Sequence, residues 1–259
     1  MHEAKSHSQA RFGRFAGAYV ASGVHGQGAD LDLLLDMAAP QPGWLALDIA
    51  TGGGHTALKL APHLRAVVAT DLTYAMLEAA RRFHAEQGAR ASGYALADAE
   101  RLPFREAAFD LVTCRIAAHH FPDPFRFVCE SVRVLKPGGR LVVQDQIVPD
   151  DERAADYVNA FETLRDPSHQ CAFPIYAWEG MFLDAGLAVE RSEHIRRKAS
   201  LIEWARMQAV DEETLVHLHV LLAQAPKAAA DWLNPRCVGT ADASFDHHHV
   251  IIAGHKPAR

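Results

Sequence analysis

Apolar positions along this chain follow two alternating patterns. Short continuous apolar runs occupy residues 44–50, 66–70, 92–97, 109–116 and 140–148, the third being the weakest. Runs of that length bounded by turn residues predict buried strands, and apolar positions spaced about 3.6 residues apart predict amphipathic helices. The helices expected between the strands cover 55–64, 74–87 and 124–135. Thr73 stands where it would cap the second of these and Gly88 where it would end it; Lys136-Pro137-Gly138-Gly139 stops the third. Ahead of the first strand, Phe12, Phe15, Ala16, Tyr19 and Val20 mark one helical segment, and Leu31, Leu33, Leu34, Leu35 and Met37 mark another that Pro40 and Pro42 end. After the fifth strand the pattern is helical over 150–165 and 174–185, extended over 187–194, helical over 200–233 and extended again over 247–255. Trp204, Met207, Val210, Leu215, Leu218 and Leu221 are the inward positions of the long helical block.

Strands alternating with helices predict an α/β fold: a doubly wound, mostly parallel sheet with helices on both faces. One domain, 1–259, accounts for the whole pattern, with N-terminal helices over 1–40, a core over 44–148 and a C-terminal part over 149–259. The last two strands, separated by a helical insertion at about 200–233, give the sheet a hairpin-like finish. Right-handed crossovers set the loops that follow the parallel strands along one edge, where open α/β sheets bind ligands. Asp48, Asp71 and Asp98 each stand at the end of a predicted strand on that edge.

Composition narrows the function. Hydrophobic residues make up 49% of the 259, enough for a substantial core. Lysine and arginine total 26 against 32 acids, a net charge of −6, so no global field draws nucleic acid or an anionic membrane. The run Arg196-Arg197-Lys198 reads as a solvated face. Four cysteines, at 114, 129, 171 and 237, are too widely spaced for a CxxC metal or redox site, and Cys114 sits in an apolar strand as a small buried group. No disulfide framework, apolar leader or membrane-length run is expected, which suits a cytoplasmic protein, monomer or homodimer.

The candidate chemistry centres on Asp48-Ile49-Ala50-Thr51-Gly52-Gly53-Gly54-His55, where a strand runs through a glycine turn into a helix. Glycines let the backbone approach a ligand, and the helix N-terminus points N–H groups at it. Gly52-x-Gly54-x-x-Ala57 with Asp71 also fits a weak dinucleotide pattern, which keeps a nicotinamide-dependent oxidoreductase as an alternative. That reading gives Asp98 no role, and no Tyr-x-x-x-Lys pair accompanies it. A non-catalytic cofactor-binding protein is a further alternative.

Six blocks in order carry a family resemblance: Leu47-Asp48-Ile49-Ala50-Thr51-Gly52-Gly53-Gly54, Val68-Ala69-Thr70-Asp71-Leu72-Thr73-Tyr74-Ala75-Met76-Leu77, Ala97-Asp98-Ala99-Glu100-Arg101-Leu102-Pro103-Phe104, Phe109-Asp110-Leu111-Val112-Thr113-Cys114-Arg115, Ala118-His119-His120-Phe121 and Val134-Leu135-Lys136-Pro137-Gly138-Gly139. The chain resembles class I S-adenosylmethionine-dependent methyltransferases of the small-molecule group that includes the ubiquinone/menaquinone C-methyltransferases. The resemblance implies a Rossmann-like sheet with a reversed final strand, S-adenosylmethionine as cofactor and a small-molecule acceptor whose reacting atom (C, O or N) is undetermined. It implies that Asp48 helps hold the ammonium end of the cofactor and that the backbone of Ala50, Gly52 and Gly54 passes its methionine part. Asp71 would bind the ribose hydroxyls, Leu72 would pack on the adenine, and Asp98 and Ala99 would meet its edge. Arg115 would face the methionine part through its backbone; Tyr19, Thr51 and Met76 complete the cofactor set. Ala50 departs from the family pattern, which has glycine there.

Methyl transfer is an in-line displacement, so the protein must hold a nucleophile about 3 Å from the methyl and aligned with the breaking bond. His119 and His120 follow the fourth strand and are candidate bases, with His120 preferred; the alternative is loop histidines bonded to backbone. The resemblance makes the N-terminal segment carrying Phe12 and Tyr19 a lid. His55 is expected near the cofactor carboxylate, and Trp204, Met207 and Trp232 are candidate acceptor-pocket walls, although core packing is the more common use of such a stripe. His247 and His249 share one face of a strand, but no third ligand is evident and no metal is expected.

Overall fold

The computed structural model describes residues 2–21, 28–88 and 93–258, the side chains of 2, 3 and 14–21 excepted. Two N-terminal helices, α1 (His2–Ala21) and α2 (Ala29–Ala38), precede the sheet. There follow β1 (Leu45–Ile49), α3 (His55–Leu60), β2 (Ala66–Asp71), α4 (Tyr74–Glu86), β3 (Gly93–Leu96), β4 (Phe109–Arg115), α5 (Pro124–Val134) and β5 (Leu135–Gln146). The C-terminal part adds α6 (Glu152–Arg165), α7 (Ile175–Asp184), β6 (Ala188–Ser200), α8 (Leu201–Arg206), α9 (Glu212–Ala223), α10 (Lys227–Leu233) and β7 (Ser244–His255).

The strand order is β3-β2-β1-β4-β5-β7-β6, with β7 antiparallel to both its neighbours and every other pair in the first five strands parallel. The expected doubly wound sheet with its reversed final strand is therefore present. Chain direction around the sheet changes between β1 and β4, and a crevice opens beyond their carboxyl ends, as it does in open α/β sheets generally.

Alternation along β1 shows how the sheet is buried. Leu47 and Ile49 face one core, with Phe127 and Val128 of α5 and Trp178 and Phe182 of α7. Ala46 faces the other, with Leu34 and Met37 of α2 and Ala57 and Leu60 of α3. Helix α5 forms because Phe127, Val128, Ser131 and Val134 make one buried stripe; Asp123 accepts from the backbone N–H of Arg126 at 2.9 Å and Pro124 opens the first turn.

Several boundaries differ from expectation. The helix expected over 55–64 is α3 followed by a 3₁₀ turn at Ala61–His63. Thr73 precedes α4 without a side-chain cap bond; its backbone N–H donates to Asp71 instead. The strand expected over 187–194 runs on to Ser200, so Arg196-Arg197-Lys198 is part of β6 rather than a freely solvated face. Arg196 pairs with Asp246, and Arg197 with Asp30, because those carboxylates are buried and need a counter-charge. The single helical block expected over 200–233 is three helices, broken at Ala209, whose φ is 50°, and before Pro226. Their inward side chains join Phe161 and Phe245 in a separate core, where Trp204 stacks on Phe161 at 5.0 Å.

Candidate functional site

A large cavity opens along the carboxyl edge of the parallel strands, enclosing about 1060 Å³ when the open space at its mouth is included. Asp48, Ala50, Thr51, Gly52, Asp71, Leu72, Met76, Asp98, Ala99, Arg115 and His120 all line it. Two of the cofactor and base candidates do not. Gly54 lies beneath the loop as the residue before α3, and His119 is buried behind the wall. Tyr19 is in α1, but its side chain lies outside the described residues. Phe12 and His55 also line the cavity, whereas Trp204, Met207 and Trp232 do not. Trp204 belongs to the separate core, and Trp232 stacks on His248 at 4.0 Å.

The glycine turn is built from left-handed backbone at three alternate positions: Ala50 at φ 51°, Gly52 at 53° and Gly54 at 86°. Alanine thus takes the conformation for which glycine is favoured at position 50. Ile116, which also lines the cavity, has φ 53°, costly for a β-branched residue and the kind of strain that collects at ligand sites.

Each carboxylate is held differently. Asp48 accepts from the hydroxyls of Thr51 at 2.6 Å and Thr113 at 2.7 Å. Burial nevertheless pushes its pKa up to about 6, against those bonds and the nearby Arg115. Asp71 accepts from the backbone N–H of Gly52 at 3.0 Å on one oxygen and of Thr73 at 2.8 Å on the other. Burial pushes it, too, to about 6. Asp98 accepts from Glu100 N–H at 3.0 Å and from Lys5 at 2.7 Å, and Lys5 also reaches Glu100 at 2.6 Å.

Lys5, Ser8 and Phe12 form one face of α1 and close the cavity from above. Sequence reading missed Lys5 and Ser8 because the start of the chain is polar; their spacing with Phe12 was the available signal. The Ser8 hydroxyl is buried and without a partner among the described residues. An orphaned hydroxyl and carboxylates with unused lone pairs fit a ligand rich in hydroxyl and amino groups.

Arg115 does more than the backbone role expected of it. Its guanidinium donates to Gln144 at 2.9 Å and to Asp30 at 3.3 Å, and Gln144 donates to Asp30 at 2.7 Å. Despite burial, these partners hold the Asp30 carboxyl below the usual range.

The two adjacent histidines have different settings. His119 Nδ1 lies 2.6 Å from Asp145, and its backbone N–H donates to the same carboxylate at 2.8 Å. Burial opposes protonation of His119, but Asp145 outweighs it and raises the pKa. His120 Nδ1 lies 3.0 Å from the carbonyl oxygen of Ser168, and Phe12 packs edge-on to its ring at 4.9 Å. Burial, then the neighbouring His119, hold His120 well below its ordinary pKa. Among the described residues no group of three His, Cys, Asp or Glu side chains is placed to hold a metal, and all four cysteines are free.

Residues 47–143 match a family model described as a methyltransferase domain. The chain is 37% identical over 179 residues to YcgJ, an uncharacterized methyltransferase of Bacillus subtilis (strain 168), across 69% of this chain and 71% of that protein. It is 41% identical over 116 residues to the ubiquinone/menaquinone biosynthesis C-methyltransferase UbiE of Ruegeria sp. (strain TM1040), across 43% and 46% respectively. The crystal structure of a methyltransferase candidate from Bacillus halodurans C-125 superposes with a TM-score of 0.85 at 35% identity, covering 89% of this chain and all of that one.

Proposed function

We propose that this chain, which belongs to the class I S-adenosylmethionine-dependent methyltransferases, moves a methyl group from S-adenosylmethionine to a small-molecule acceptor in the cavity at the sheet edge. The observation that carries the reading is the gathering of Asp48, Asp71 and Asp98, at or just past the carboxyl ends of three neighbouring strands, around one cavity. When bound, the cofactor supplies an electrophilic methyl carbon on a sulfonium.

The chain's own groups then divide the work. Asp71, fixed at the cavity by the backbone N–H groups of Gly52 and Thr73, accepts from the vicinal ribose hydroxyls, a directional charge-assisted contact. Leu72, Met76 and Ala99 pack against the adenine, and Asp98 accepts from its amino group beside Lys5. Ala50, Thr51, Gly52 and the Arg115 backbone border the methionine part. Asp48 acts mainly through its charge, since both oxygens already hold hydroxyls. The Ser168 carbonyl can only accept, so Nδ1 of neutral His120 carries the proton and Nε2 is left as a base. A base there would take the proton from a hydroxyl, amine or acidic C–H acceptor, worth about 10²–10⁴ in rate. The small-molecule acceptor is supported by the ubiquinone/menaquinone enzymes among the relatives.

Calorimetric titration of the full chain with S-adenosylmethionine, S-adenosylhomocysteine and NAD tests the reading. Both sulfur ligands should bind, and Asp71→Asn should weaken them. Heat from NAD alone would overturn it and return the nicotinamide alternative.

A further inference from the structure

Behind the cavity wall lies a set of titratable groups that cofactor binding does not use: His119, Asp145, Asp166 and His169. We propose that Asp145 and His119 are positioning residues, whose ion pair behind the wall holds His120 as a neutral, Nδ1-protonated imidazole. The inference rests on the reading of His120 as the base.

The geometry carries it in three steps. First, Asp145 is anchored. One oxygen takes the His119 ring N–H at 2.6 Å and the backbone N–H of Gln146 at 2.8 Å, while the other takes the His119 backbone N–H at 2.8 Å. The turn carrying both histidines is thereby tied to the end of β5. Second, the His119 and His120 rings lie 4.0 Å apart, tilted by 48°. A cation on His119, stabilised by Asp145, stands directly against any second proton on His120. Third, the Ser168 carbonyl takes the Nδ1 proton of His120 at 3.0 Å. Ser168 is itself fixed by Asp166, which accepts from its backbone N–H at 2.9 Å and its hydroxyl at 2.5 Å.

The Ser168 hydroxyl also lies 3.4 Å from His120 Nδ1, and other groups bear on the charge of the ring. From α1, Phe12 meets the ring edge-on and Arg11 pairs with Asp166 at 3.0 Å. The Asp166 charge favours a proton on His120, whereas His119 and His169 oppose one. His169 is brought down to about 4 by burial and by His119. It is held at Nδ1 by Gln146 at 2.9 Å and at Nε2 by Asn159 at 2.8 Å. Glu162, which favours a proton on His119, pairs with His247 at 3.1 Å. His119 is thus the one imidazole of the three whose protonation the surroundings favour.

The test is a pH titration of the imidazole nitrogens of the full-length protein by ¹⁵N-resolved NMR, with His120→Ala to assign the signals. In the wild type, His120 should show the Nδ1–H tautomer and His119 the higher midpoint. In His119→Asn the His120 midpoint should rise by roughly one unit or more, because the opposing cation is gone. In Asp145→Asn the His119 midpoint should fall and that of His120 should rise. If the Asp145 variant fails to fold, His119→Asn decides alone. A His120 midpoint unmoved in a folded variant, or an Nε2–H tautomer in the wild type, overturns the proposal. Full turnover by His120→Ala alongside the expected midpoints would instead remove the base reading and leave the positioning pair standing.

Discussion

Replacing Gly54 and Gly52 in turn by alanine separates the structural use of the glycine turn from its use toward ligand. At Gly54, φ is 86° and an added Cβ would lie 2.5 Å from His84 Nε2 and 3.0 Å from the Ala80 Cβ. His84 cannot swing away: it is 1% exposed, its Nε2 donates to the Gly54 carbonyl at 2.7 Å, and its Nδ1 holds the Tyr94 hydroxyl at 2.7 Å. Left-handed backbone, overpacking and one lost buried hydrogen bond together predict a loss of about 3–5 kcal/mol for Gly54→Ala. At Gly52, φ is 53° and an added Cβ meets nothing within 4 Å. Ala50 already adopts φ 51° in the same turn, so Gly52→Ala should cost only about 1–2 kcal/mol. Its methyl, however, borders the cavity next to the N–H that holds Asp71. Affinity for S-adenosylhomocysteine should therefore fall about tenfold, equivalent to roughly 1.4 kcal/mol. Urea unfolding followed by circular dichroism reads the first quantity, and calorimetric titration reads the second. Equal stability losses in the two variants, or tight binding by a folded Gly52→Ala, would refute the reasoning.

Other expectations follow from the same contacts. Asp48 and Asp71 have folded pKa values near 6 against 3.8 unperturbed. Their contribution to the stability of the unliganded protein is therefore fully present below about pH 3.8 and lost as pH rises through about 6. Ligand binding that needs ionised Asp71 runs the other way, so S-adenosylhomocysteine affinity should weaken by up to about tenfold per pH unit below 6, measured by calorimetry across that window; an affinity flat between pH 5 and 7 would contradict it. Asp30→Ala leaves Arg115 without its buried carboxylate and should cost about 3–5 kcal/mol in urea unfolding. Lys5→Met removes the tie from α1 to Asp98 and Glu100. It should speed proteolytic cleavage within α1 while changing global stability by less than about 1 kcal/mol; unchanged cleavage would show that α1 is held by other contacts.

The order of residues alone specifies the alternation of strands and helices, and with it the edge on which Asp48, Asp71 and Asp98 would meet. That much is local: a strand buried on both faces and a helix with one apolar stripe each announce themselves within a dozen residues. It did not determine which nearby residues face the ligand. Gly52 and Gly54 look alike in the chain, yet one borders the cavity and the other backs onto His84, because α4 packs beneath the turn. His119 and His120 are neighbours, yet the tight turn at Ala118–His120 sends one to Asp145 and the other to the cavity wall. Trp204 and Trp232 suited either a pocket wall or a core, and tertiary packing around β7 took them for the core. Lys5 and Ser8 reach the cavity only because α1 lies across it, bringing Lys5 to an acid 93 positions away. The spacing of Lys5, Ser8 and Phe12 marks their shared face, but which distant residues that face meets depends on how finished helices pack.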